Sequence, residues 1–106
     1  GLNAHAAHPG WAITGLFTSK PAAGLGNFLG RATGVSQSAG DGAQSVVFCA
    51  ASRQAAAGGY YGPIGMLRTA GPVGRAPLPR QAGSAKELDA LWQATQELIG
   101  VRFPTG

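Results

Sequence analysis

The sequence predicts a mixed α/β fold built on a parallel β-α-β unit. Three observations carry this. Residues 2–7 (Leu-Asn-Ala-His-Ala-Ala) form a run without charge that stops at Pro9-Gly10. Such a run suits a strand covered on both faces, and Pro, lacking an N–H, ends regular pairing. Residues 36–53 then repeat apolar side chains at helical spacing. Residues 59–63 (Gly-Tyr-Tyr-Gly-Pro) follow as an aromatic, strand-favouring run closed by a breaker. A strand, a crossover helix and a second strand imply parallel strands and a right-handed crossover.

The segment Ala7-His8-Pro9-Gly10-Trp11-Ala12-Ile13-Thr14 is the expected functional loop. It leaves the C-terminal end of the first strand, where open α/β sheets bind ligands. Gly10 permits a sharp turn, and Thr14 places a hydroxyl just beyond it. His5 and His8 suggest a metal pair at first sight. Residues three apart on a strand face opposite sides, and no carboxylate or thiol is near in sequence. His8 is therefore expected to shape the turn, and His5 to pack.

Over residues 15–35, Leu25, Phe28, Leu29 and Ala32 make a helical stripe that Gly24, Gly26 and Gly30 weaken. A weak amphipathic helix between flexible ends suits a lid carrying Leu16, Phe17, Leu25 and Phe28. A mobile loop without a binding role is the alternative. In the 36–53 helix, Ser36 or Ser38 can cap the start, and Asp41 with Gln44 offers a second capping arrangement. Ala43, Val46, Val47, Ala50 and Ala51 are the expected buried stripe, with Cys49 buried and inert among them. Tyr60 and Tyr61 point to opposite faces, so at most one lines a pocket.

Residues 64–83, rich in Gly, Pro and Arg, read as an extended connector. Residues 84–100 are the clearest helix. Ser84-Ala85-Lys86-Glu87 is a capping box, Leu88, Leu91, Trp92, Thr95, Leu98 and Ile99 form one face, and Gly100 stops it.

The 106 residues allow one domain, and the opening almost directly on a strand suggests a fragment. One cysteine excludes an internal disulfide. No apolar run approaches a membrane span. Eight Lys and Arg against four Asp and Glu give a net charge of +4. The basic residues are scattered and not interleaved with aromatics, so no nucleic-acid partner is expected. These features, without a visible signal peptide, lead to an expected cytoplasmic location.

His8-Pro9-Gly10, Thr14, Gly42-Ala43, Gly59 to Pro63 and Leu91 to Val101 occur in an order that resembles the short-chain dehydrogenase/reductase family. The branch resembled includes the retinol dehydrogenases. The resemblance implies the C-terminal part of a Rossmann-like doubly wound parallel sheet: its last two strands, crossover helix, lid and C-terminal helix. It implies NAD or NADP as cofactor and an alcohol or carbonyl as substrate. Pro9, Gly10, Ala12 and Thr14 would then hold the nicotinamide carboxamide, through backbone groups near Ala12 and the Thr14 hydroxyl. The family usually has Val or Ile where Ala12 stands, a change that a backbone contact survives. The segment around Leu16, Phe17, Leu25 and Phe28 would cover the substrate.

The family's Gly-rich turn, catalytic Ser and Tyr-x-x-x-Lys pair are absent from these residues. Neither Tyr60 nor Tyr61 has Lys four residues on. The missing N-terminal half of the domain would supply them, so the 106 residues are expected to be inactive by themselves. An exposed first-strand edge would favour homo-oligomers. A non-catalytic protein-interaction domain derived from the same fold is the alternative.

Overall fold

The computed structural model describes residues 2–15 and 23–104, and the chain divides into two compact units, 1–76 and 77–106. The first unit carries a three-stranded sheet in the order β1 (Ala6–Ala7), β4 (Tyr60–Pro63), β5 (Val73–Arg75). A separate parallel pair joins β2 (Ala12–Ile13) to β3 (Gln37–Ser38). β1 and β4 are parallel, with Ala6 opposite Tyr60 and Ala7 opposite Tyr61. Helix α2 (Ala39–Ala51) lies between them in sequence and packs on both. The expected β-α-β unit is present, within a mixed α/β fold.

Local chemistry sets the start of α2. Ser38 is its N-cap: the Ser38 Oγ accepts the Asp41 N–H at 3.1 Å and donates to the Asp41 carboxylate at 2.6 Å. Asp41 also sits where an acid complements the helix dipole. The helix thus begins at Ala39, capped by the second of the two candidate serines.

The buried side of α2 differs from the expected stripe. Ala43, Val46, Val47, Ala50 and Ala51 are exposed, and the helix presses Gly42 and Ser45 onto the strands. Close approach decides this. A Cβ on Gly42 would stand 2.7 Å from the Ala12 Cβ, so only a residue without a side chain fits there. Cys49 is half-buried, with its Sγ 3.8 Å from the Ala6 carbonyl.

The two faces of the sheet carry different aromatic contacts. Tyr61, 4% exposed, packs on Phe48 of α2 at 5.0 Å and meets His5 edge-on at 6.4 Å. Its hydroxyl accepts the Ala56 N–H at 2.7 Å, and the His5 Nδ1 lies 3.1 Å from the Ala56 carbonyl, so both fix the loop after α2. Tyr60 instead meets His8 at 5.1 Å. The two histidines thus sit with different tyrosines, as strand alternation requires.

The connector 64–83 contains a strand that its composition concealed. β5 pairs antiparallel with β4, with Tyr61 opposite Arg75 and Pro63 opposite Val73. The turn between them includes Leu67 and Arg68 at positive φ. Helix α1 (Ala23–Ala32) covers part of the expected lid. Its Leu25, Phe28, Leu29 and Ala32 are exposed, whereas Gly30 is buried beside Ser36. Leu16 and Phe17 lie outside the described residues.

In the second unit, α3 (Ala85–Ile99) starts at the Ser84 cap, whose Oγ accepts the Glu87 N–H at 3.4 Å, and ends at Gly100 with φ 67°. Its apolar residues Leu88, Leu91, Trp92, Leu98 and Ile99 are exposed, with Trp92 stacking on Phe103 at 5.5 Å. No helix among the described residues is long and apolar enough to cross a membrane.

Two glycines of α2 separate packing from propensity. Gly42→Ala is expected to destabilise the first unit by about 1–3 kcal/mol through overpacking against Ala12. Gly40→Ala, whose nearest outside atom is the Ser38 Oγ at 3.7 Å, is expected to stabilise it by up to about 1 kcal/mol. Urea unfolding of the two variants checks the opposite signs.

Candidate functional site

The loop that follows β1 is held open by the residues around it. His8 accepts the Gly10 N–H on its Nδ1 at 3.2 Å, which folds the chain over Pro9 and fits the role expected of His8 as a turn residue. That contact places the ring hydrogen of the neutral imidazole on Nε2. Gly10 has φ 64°, and a Cβ there would strike the Thr69 carbonyl and the Pro63 ring. The next amide, Trp11 N–H, donates to the Thr69 carbonyl at 2.6 Å. The turn between β4 and β5 therefore forms one wall of the loop.

Gln37 forms the other wall, and sequence reasoning gave it no role. It is 8% exposed, and all its side-chain polar atoms point inward to partners. Its Nε2 donates to the Pro9 carbonyl at 2.7 Å, and its Oε1 accepts the Gly71 N–H at 3.0 Å. Its backbone N–H donates to the Trp11 carbonyl at 2.9 Å. One residue thus ties the 8–14 loop to the 69–72 turn. A glutamine between two serines at a helix entry carries no distinguishing sequence signal, because its partners lie 28 and 34 residues away.

The structure gathers three of the four expected cofactor residues around this clamp. Pro9 supplies its carbonyl to Gln37, Gly10 packs on Pro63, and Ala12 lies buried under Gly42. Ala12 sits in β2, opposite Gln37. Because Gln37 takes the Trp11 carbonyl, strand alternation turns the Ala12 N–H and C=O away from β3, toward an edge that no described strand pairs. Thr14 follows immediately, half-buried. Of the lid residues described, Leu25 and Phe28 stay on the exposed side of α1.

Beside the clamp is an open depression of about 490 Å³. Arg31, Ser36, Gln37, Asp41, Gln44 and Gly71 line much of it, so its walls are mostly polar. The Ser36 hydroxyl is buried and has no hydrogen-bond partner among the described residues, as is the case for that of Ser45 on the buried side of α2. The Asp41 carboxylate is held by Ser38 and, at 3.4 Å, by Gln44. Among the described residues no group of three or more His, Cys, Asp or Glu side chains is placed to hold a metal ion.

Comparison with known proteins gives no match to any family model, to any curated protein or to any solved structure. The site is therefore read from its own chemistry.

Gln37→Leu removes the donor to Pro9 and the acceptor for Gly71 together. It is expected to cost about 2–3 kcal/mol in urea unfolding, because two part-buried backbone groups lose their partners. Gln37→Glu sets a buried carboxylate oxygen against the Pro9 carbonyl, two acceptors facing each other, and should lose at least as much at neutral pH. A loss below about 0.5 kcal/mol for Gln37→Leu would contradict the double clamp.

Proposed function

We propose that this chain is the C-terminal part of a Rossmann-like, NAD(P)-dependent oxidoreductase of the short-chain dehydrogenase/reductase type, related to the retinol-dehydrogenase branch. In this reading the loop from Pro9 to Thr14 binds the nicotinamide carboxamide. One observation supports it above the others: the Ala12 N–H and C=O lie together on a strand edge that no strand among the described residues pairs, with Thr14 just beyond. A carboxamide carries one acceptor and one donor group, and such an edge can satisfy both at once. The clamp at Gln37 and the Gly10 turn keep that edge in place without using its hydrogen-bonding groups.

When bound, the dinucleotide supplies the hydride chemistry. This chain's part is orientation: it fixes which face of the ring meets an alcohol or carbonyl substrate in the neighbouring space. Proton transfer belongs to the Ser and the Tyr-x-x-x-Lys pair of the N-terminal half, together with its pyrophosphate-binding turn. The second reading, a non-catalytic interaction domain of the same fold, is favoured by one observation. The apolar face of α2 at Val46 and Val47 is 57% and 61% exposed.

Nicotinamide mononucleotide titrated into the chain at millimolar concentration should shift the backbone amide resonances of Ala12 and Thr14 first. Thr14→Val should weaken that binding by about five- to tenfold, the loss of one hydrogen bond of about 1–1.4 kcal/mol. Shifts elsewhere, or none, would contradict the assignment and favour the interaction domain. Mixing the chain with NAD or NADP and a panel of alcohols should give no turnover; measurable turnover would overturn the division of labour proposed above.

A further inference from the structure

We propose that His8 makes the 8–14 loop a proton-sensitive element, closed while its ring is neutral and released when the ring takes up a proton. A side chain that accepts the backbone N–H two residues on makes the hydrogen bond of an Asx-turn, which Asn or Asp usually supplies. Here His8 supplies it, with Nδ1 accepting the Gly10 N–H at 3.2 Å. An Asn oxygen accepts at any pH. An imidazole nitrogen accepts only while it carries no proton, and histidine is the side chain that changes charge between about pH 5 and 8.

One proton from solvent on Nδ1 turns this acceptor into a donor that faces a donor. Either the ring or the chain must then move. The ring is held: it lies against Tyr60 at 5.1 Å, and it fills the space over Gly62, where even a Cβ would overlap Nε2. The chain yields instead, at Gly10, and carries both neighbours with it. Pro9 presents its carbonyl to Gln37, and Trp11 gives its N–H to the Thr69 carbonyl. Both walls of the loop therefore respond to the charge of one ring. Of the titratable and charged groups around it, Tyr60 on β4 touches the ring. Arg68, in the turn between β4 and β5, is exposed. On α2, Asp41 is engaged by Ser38 and Gln44, and the Cys49 Sγ lies at the Ala6 carbonyl. His5 and Arg75 share the opposite sheet face with Tyr61.

The switch does not rest on the oxidoreductase reading. That reading fails on the nicotinamide titration, whereas the switch is read on the 106-residue chain without ligand. In nuclear magnetic resonance spectra between pH 7.5 and 5, the Gly10 and Trp11 amides and the Gln37 side-chain amide should titrate with the midpoint of the His8 ring carbons. Over the same range the protection factor of the Trp11 amide against hydrogen exchange should fall about five- to tenfold, the weight of one hydrogen bond. His8→Asn, whose acceptor does not titrate, should keep the loop closed and abolish this dependence, with far-UV circular dichroism unchanged. Trp11 protection that stays flat in the parent chain, or that falls equally in His8→Asn, would overturn the proposal.

Discussion

The parallel pairing of β1 with β4 is the interaction on which the first unit depends. It is made of few backbone hydrogen bonds, among them Ala6 N–H to Gly59 and His8 N–H to Tyr61. Once it forms, the chain leaving β1 and the chain leaving β4 emerge at the same end of the sheet. Their loops must then share space, and each contact in the site follows from that. Trp11 bonds to Thr69, Gly10 fits under Pro63, and Gln37 bridges Pro9 and Gly71. α2, the crossover, must return across the same loop. Only Gly42 lets it come close enough to cover Ala12.

Much of this frame was legible in the residues because it is set locally. The caps at Ser38 and Ser84 act over three residues, and so do the acids at Asp41 and Glu87 that accompany them. Pro9-Gly10 closes the run of β1 by removing a donor and freeing φ, Gly10 lying at φ 64°; Gly62 and Pro63, expected to stop their strand, instead stay within β4 opposite Gly74 and Val73. What was not legible depends on partners far away in sequence. β5 has the composition of a loop, Val-Gly-Arg after Gly-Pro, and becomes a strand only because β4 offers an edge. Gln37 matters because of where Pro9 and Gly71 happen to lie. The buried side of α2 was misread for a related reason. Periodicity marks the apolar stripe, yet close approach selected the stripe of smallest residues, Gly42 and Ser45, instead.

That choice has a thermodynamic consequence. The buried apolar residues described are few and small, Ala12, Ala70 and Ala76 beside Tyr61, while Val46, Val47, Leu25, Phe28 and the α3 stripe remain in water. Burial of apolar area is the main force that offsets chain entropy. A unit of this kind gains most by acquiring further contacts. The proposed nicotinamide loop, supplied to a larger active site, would complete a surface that the first unit leaves unfinished.

Native-state hydrogen exchange tests the central claim most directly, because it reads the clamp and the sheet at once. The amides of Ala6 and His8 report the pairing of β1 with β4, and those of Trp11, Gln37 and Gly71 report the loop held against it. If the shared end of the sheet dictates the site, all five should exchange with one common opening free energy, and Gln37→Leu should raise the rates of Trp11 and Gly71 together. Protection of Ala6 and His8 alone, with Trp11 and Gly71 exchanging as in an unfolded chain, would contradict the account.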